Sequence, residues 1–216
     1  MPVRYEFEKE LNEMHRNLVK MGALIEKQID DMIAALDDQN VELANKVIKA
    51  DDEVDALERT IEQGCILMIA RQQPIASDLR DIASILKLIT DLERIADHCE
   101  DISVYTIKLS KETYMKPLDT IEKMVKKVKI MVTTVIDSFV RRDLKLASKV
   151  IEMDDTIDDL FHQSVAELQE IMGKDPQWVM QCTDYMFIVK YLERMGDHAE
   201  NIAKWLTYNV TGQHFG

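Results

Sequence analysis

Apolar residues recur at steps of three and four along most of the chain, in stretches of about 30 residues. Ile85, Leu88, Leu92, Ile95, Cys99 and Ile102 form one such stripe, and Tyr185, Ile188, Leu192, Met195, Ala199 and Ile202 form another. Val47, Ala50, Val54, Leu57 and Ile61 form a third. This period marks helices with one buried face, and no run alternates β-formers with polar residues, so the pattern predicts an all-α fold. Start signals divide the chain. Asn40 and Asp143 are N-cap types, Asp175-Pro176 pairs an N-cap with a first-turn proline, and Pro74 and Pro117 open further segments. Helices are expected near 4–38, 41–71, 74–111, 117–141, 144–172 and 176–209. Short links between long helices make antiparallel bundles.

The chain also repeats itself. Leu92-Glu93-Arg94-Ile95-Ala96-Asp97-His98-Cys99-Glu100-Asp101-Ile102 returns as Leu192-Glu193-Arg194-Met195-Gly196-Asp197-His198-Ala199-Glu200-Asn201-Ile202, identical at 7 of 11 positions. The segment 43–57 returns at 146–160 with 9 of 15 positions identical. Two blocks in the same order imply a duplicated unit, hence two tandem three-helix bundles, divided as 1–113 and 114–216. Both third helices carry a second apolar stripe: Leu79, Ile82, Leu86 and Ile89, and Val179, Cys182, Met186 and Val189. Such a face needs cover from the other repeat or another subunit, unless the helix is simply a wide core helix.

Composition narrows the class. A net charge of −13 disfavours nucleic acid, whose phosphates it would repel, and suits cations or basic protein surfaces. Cys65, Cys99 and Cys182 have no paired spacing, which fits small apolar residues in a reducing cytosol. The chain opens without a signal-peptide pattern and has no apolar run long enough for a membrane span, so a cytoplasmic protein is expected.

The repeated text contains acids four residues apart: Asp51/Asp55, Glu93/Asp97, Asp154/Asp158 and Glu193/Asp197. Side chains at that spacing share a helix face, and two carboxylates so placed can share a cation. Helices folded back at Pro74 set the Asp51/Asp55 pair level with Glu93/Asp97; the Asp175-Pro176 turn does the same for Asp154/Asp158 and Glu193/Asp197. These acids fall outside the apolar seam, so they are expected to face away from the bundle core. Four carboxylates in one patch repel unless a cation or proton intervenes. Oxygen-only donors suit Mg, Ca, Mn or Fe, with Zn admissible. The plainer alternative is a solvated acidic face neutralised in part by Arg94 and Arg194. His98 and His198 follow the key aspartates but read as supporting residues rather than ligands. Outward acids without Glu-x-x-His do not make a di-iron core. Neither a Gly-rich phosphate loop nor a nucleophile motif is present, so catalysis is not expected.

Asp78-Leu79-Arg80 leading to Leu92-Glu93-Arg94-Ile95-Ala96-Asp97-His98, the second copy from Tyr191 to Ile202, and Met21-Gly22-Ala23-Leu24-Ile25-Glu26 with Ala34-Ala35-Leu36 together resemble the PhoU family. The resemblance spans nearly the whole chain. It implies a homodimer of tandem three-helix bundles with multinuclear metal sites on E/D-x-x-x-D motifs. Mapped here, those sites would use Asp51, Asp55, Glu93, Asp97 and Asp101, and Asp154, Asp158, Glu193, Asp197 and Asn201. It further implies contact with the ATP-binding subunit of a phosphate transporter and with a phosphate-sensing histidine kinase, at the inner face of the membrane. Through these partners phosphate uptake and the starvation response would be restrained. Ala96 stands where the family has Gly, and Asp101 where it has Asn; the extra acid is expected to make the first site more cation-hungry. A metal store or a bare scaffold are the competing expectations.

Overall fold

The computed structural model describes residues 3–111, 115 and 118–213. It consists of six long helices: α1 Val3–Asp38, α2 Val41–Gln72, α3 Ala76–Leu109, α4 Asp119–Arg141, α5 Leu144–Lys174 and α6 Val179–Thr211. A 3-10 turn, Pro176–Trp178, leads into α6. Local chemistry sets the boundaries. Asn40 caps α2 by accepting from the Leu43 amide at 3.0 Å, and Asp143 caps α5 by accepting from Lys145 and Leu146. Asp175 accepts from the Gln177 amide at 3.1 Å, which secures the 3-10 turn.

The starts expected at Pro74 and Pro176 differ, the latter because a 3-10 turn takes up residues 176–178 and α6 begins at Val179. Helix α3 begins at Ala76 rather than Pro74, because Gln73 adopts the left-handed conformation (φ 45°) and the residue before a proline is biased away from helix. The start expected at Pro117 lies outside the described residues, as does the division at 113/114; α4 is helical from Asp119.

Helices α1–α3 form one antiparallel bundle and α4–α6 the other. They join where α3 lies against α6 and α1 against α4. Gly22 allows the second approach, since a methyl group there would stand 2.9 Å from Ile136 Cγ2. Asp81 pairs with Asn209 at 2.6 Å, Asp91 with His198 at 2.9 Å and Lys108 with Asp184 at 2.5 Å, so α3 and α6 run antiparallel. Equivalent positions exchange partners across this seam: 91 meets 198, and 98 meets 191 with ring centres 5.3 Å apart. That is the signature of a pseudo-twofold axis between the repeats.

All twelve residues of the two α3 and α6 stripes are buried, as are Val47, Val54, Leu57 and Ile61 of α2; Ala50 is half-buried. The second stripes are buried at their centres and open at one end. Ile82, Ile89, Cys182 and Val189 are inaccessible, Leu86 and Met186 are half-buried, and Leu79 and Val179 are exposed. With α3 flanked by α1, α2 and α6, one chain supplies that cover without a second subunit.

Candidate cation sites

The α2–α3 turn and the α5–α6 turn each bring two acidic segments to the same height. In the first repeat Asp51 sits opposite Asp97 and Glu100, with Asp55 on its own helix. Burial, then these acids, raise its pKa to about 7. Burial and then Asp97 likewise raise Glu93 to about 7. Burial, with Asp101 and Asp97 next, raises Glu100. In the second repeat Asp154 lies opposite Glu200 and Asp197, and burial followed by Glu200 raises it to about 6. Burial and then Glu193 raise Asp197. The eight carboxylates at i, i+4 therefore converge as two clusters, one per repeat.

Six of the eight do not face open water. Asp51 is only 9% exposed, and Glu93, Asp97 and Asp154 are half-buried in the groove between their helices; Asp158 and Asp197 are the more open members. The expectation of outward-facing acids holds for Asp158 and Asp197 and is corrected for the other six: a residue beside a seam is still covered when the neighbouring helix packs closely. Gly196 makes that approach close in the second repeat, where a methyl group would stand 3.2 Å from Ile157 Cγ2 and 3.5 Å from Asp154 Oδ1. Its counterpart Ala96 is fully buried, so the first repeat is built around the methyl group.

Basic side chains occupy part of each cluster. In the first, Arg94 reaches Asp97 at 2.7 Å and Glu93 at 3.4 Å, and Arg59 reaches Asp55 at 3.1 Å. In the second, Lys190 reaches Glu193 at 2.6 Å and Lys204 reaches Glu200 at 2.5 Å. Arg194 does not repeat the role of Arg94; its charge acts on His98 across the seam and on Tyr191 of its own helix. As the side chains lie, the described residues contain no group of three or more His, Cys, Asp or Glu poised to hold an ion. Two observations nevertheless suit a hard cation: every donor is a carboxylate oxygen, and Asp51 Oδ1 is buried without a hydrogen-bond partner.

Asp101 is drawn elsewhere. Its carboxylate meets His98 Nδ1 at 3.3 Å, on the side of the seam that Tyr191 occupies, and Asn201 holds the matching place in α6. The two histidines turn to the same seam, with ring centres 5.7 Å apart, and His98 Nε2 is buried without a partner. Burial lowers the pKa of His98, against the opposing pull of Asp101. Glu100 and Glu200, absent from the expected set, belong to the clusters. Their signal was present in the text: each stands three residues after Asp97 or Asp197, on the same helix face, in both copies.

The profile of the PhoU domain matches residues 18–106 and 121–206. A relative from Clostridium acetobutylicum, named phosphate-specific transport system accessory protein PhoU homolog, is 40% identical over 96% of this chain and 95% of its own. A protein of the same name from Aquifex aeolicus is 44% identical over 86% of this chain and 84% of its own. The crystal structure of PhoU from Pseudomonas aeruginosa superposes with a TM-score of 0.92 at 37% identity, covering 96% of this chain and 100% of that one. Domain match, sequence identity and superposition all run through both repeats, and the chain belongs to the PhoU family.

Proposed function

We propose that this chain is a non-enzymatic accessory protein of a phosphate transport system, which restrains phosphate uptake and phosphate-starvation signalling. The observation that supports the reading is 40% identity along nearly the full length of a protein named as an accessory protein of a phosphate-specific transport system. No helix among the described residues is long and apolar enough to cross a membrane. The chain would therefore act from the cytoplasm, recruited to the inner face of the membrane by partners. Those partners are the ATP-binding subunit of the phosphate transporter and the phosphate-sensing histidine kinase, contacted by a homodimer.

Divalent or iron-type cations on the two carboxylate clusters complete the reading. Asp51, Asp55, Glu93, Asp97 and Glu100 would hold them in the first repeat, and Asp154, Asp158, Glu193, Asp197 and Glu200 in the second. Such a cation would neutralise acids that now repel one another, and it would displace Arg94 and Arg59, or Lys190 and Lys204, from them. The freed basic side chains would then be available at the surface to a partner.

The test is complementation. A deletion strain of a related bacterium should regain restrained phosphate uptake when this chain is supplied, and purified chain should retain the transporter's ATP-binding subunit in a pull-down. Failure of both would refute the reading.

A further inference from the structure

A groove of about 350 Å³ runs between α2 and α3, with Trp205 of α6 as its far wall. Glu58 and Glu62 line one side, Ile66 and Leu86 the apolar floor, and Lys87 lies over the Trp205 ring at 5.9 Å. Neither glutamate forms an ion pair among the described residues, and Ile66 is 53% exposed.

The duplication supplies an internal control. At the offsets of 103 and 100, Glu58, Glu62, Lys87 and Trp205 correspond to Phe161, Val165, Phe187 and Tyr105. There Phe187 stacks on Tyr105 with ring centres 5.3 Å apart, and Lys190 covers the Phe161 ring at 5.4 Å. One repeat thus fills this place with its own aromatics. The other keeps it open and lines it with two carboxylates beside an aromatic wall. They form no ion pair among the described residues, Glu58 feeling the charges of Arg59 and Arg94 only at a distance.

We propose that the Glu58–Glu62–Trp205 groove is a docking surface for a basic amphipathic segment of a partner protein. Charge complementarity selects the occupant. Arginine answers two carboxylates next to an indole face, by charge-assisted hydrogen bonds and by stacking on the ring, while an adjacent apolar residue covers Ile66 and Leu86. A net charge of −13 favours encounter with basic surfaces from a distance. The proposal rests on the adaptor reading for the identity of the partner, and on the groove alone for its chemistry.

The experiment titrates the full chain with a short helical peptide of Leu, Ala and Arg, followed by tryptophan fluorescence and by methyl NMR of the isoleucines, with and without magnesium. The peptide should shift Ile66. Its versions with citrulline or Glu in place of Arg should bind at least about tenfold more weakly, the effect of losing one interface anchor. Glu58→Gln with Glu62→Gln should weaken binding by a similar factor, and Lys87→Met should tighten it by removing a like charge. Asp155→Asn with Asp159→Asn, an equal charge change on exposed positions of the second repeat, should leave it unaltered. Equal loss in that control, shifts confined to other surfaces, or Ile66→Asp dissociating a dimer without affecting peptide binding would overturn the proposal. The adaptor reading fails separately. A chain that binds the peptide but not the ATP-binding subunit refutes that reading and keeps the groove. Full binding of the subunit by the Glu58→Gln, Glu62→Gln variant refutes the groove as a site for that partner and keeps the reading.

Discussion

The two carboxylate clusters descend from the same text, yet the molecule treats them differently. In the first, Asp51 is nearly inaccessible, one of its oxygens has no partner, and Asp51 and Glu93 both hold protons to about pH 7. In the second, Asp154 is half-buried and raised only to about 6. The basic residues differ as well. Lys190 and Lys204 have Thr90 and Val104 as counterparts, so two lysines within α6 counter the second cluster. The first relies on Arg59 and Arg94. A cluster whose charge is more deeply buried gains more from a cation. Under the proposed function the difference between the copies would bear on cation affinity, while the shared seam bears on stability.

The seam should show the largest effect and no difference between repeats. Leu88→Ala and Ile188→Ala each remove a fully packed side chain, and each should lower unfolding free energy by about 2–5 kcal/mol in denaturant titrations. A large effect in one repeat only would mean that the bundles do not share a common core.

The clusters should separate the repeats by sign as well as size. Asp51→Asn removes a carboxylate that folding must either protonate or desolvate, so without metal at pH 8 it should stabilise the fold by about 1–3 kcal/mol. Asp154→Asn should do so by less, in keeping with its smaller shift. The pH dependence follows from the same groups. Asp51 and Glu93 have folded-state pKa values above those of the unfolded chain. Between the ordinary carboxylate value near 4 and about 7 the folded state therefore binds more protons. Stability contributed by these groups is fully present at the acid end, falls as pH rises through that window, and is flat above it. Melting temperatures of metal-free protein from pH 5 to pH 8 check the direction, and saturating magnesium should level the slope.

Much of this was legible before any coordinates. The period of three and four marks α2, α3 and α6, start signals divide off the other long helices, and caps such as Asn40 and Asp143 locate two starts to the residue. The i, i+4 acids and the equal distances from the two turns place these eight carboxylates at matching heights, and the structure sets the four of each repeat near one another. What the text does not encode is how side chains choose among neighbours. Asp101 looked like an added ligand, but at one turn's distance it meets His98, whose place is set by Tyr191 and His198 of the other repeat. Arg94 and Arg194 occupy identical sites in the repeated text, yet Arg94 pairs with Asp97 and Glu93 while the charge of Arg194 is felt by His98 across the seam.

Competition by the basic residues gives a smaller and sharper contrast. Arg94→Gln should destabilise the metal-free protein by less than about 1 kcal/mol, since the guanidinium is about half-exposed. It should nonetheless tighten manganese binding at the first cluster. Lys190→Gln should act only on the second. Arg59→Gln, which breaks a pair with one partner well exposed, should change stability by no more than about 0.5 kcal/mol. Thermal melts with and without manganese distinguish these cases.

Calorimetric titration of the metal-free protein with manganese tests the central claim most directly, run beside Asp51→Asn, Asp97→Asn and Asp154→Asn, Asp197→Asn double variants. The account predicts two classes of site in the wild type, the tighter lost with Asp51 and Asp97 and the weaker with Asp154 and Asp197, both variants remaining helical. A wild type that takes up no manganese, or variants that bind as the wild type does, would contradict it and leave the acidic clusters as structural features held by Arg94, Arg59, Lys190 and Lys204.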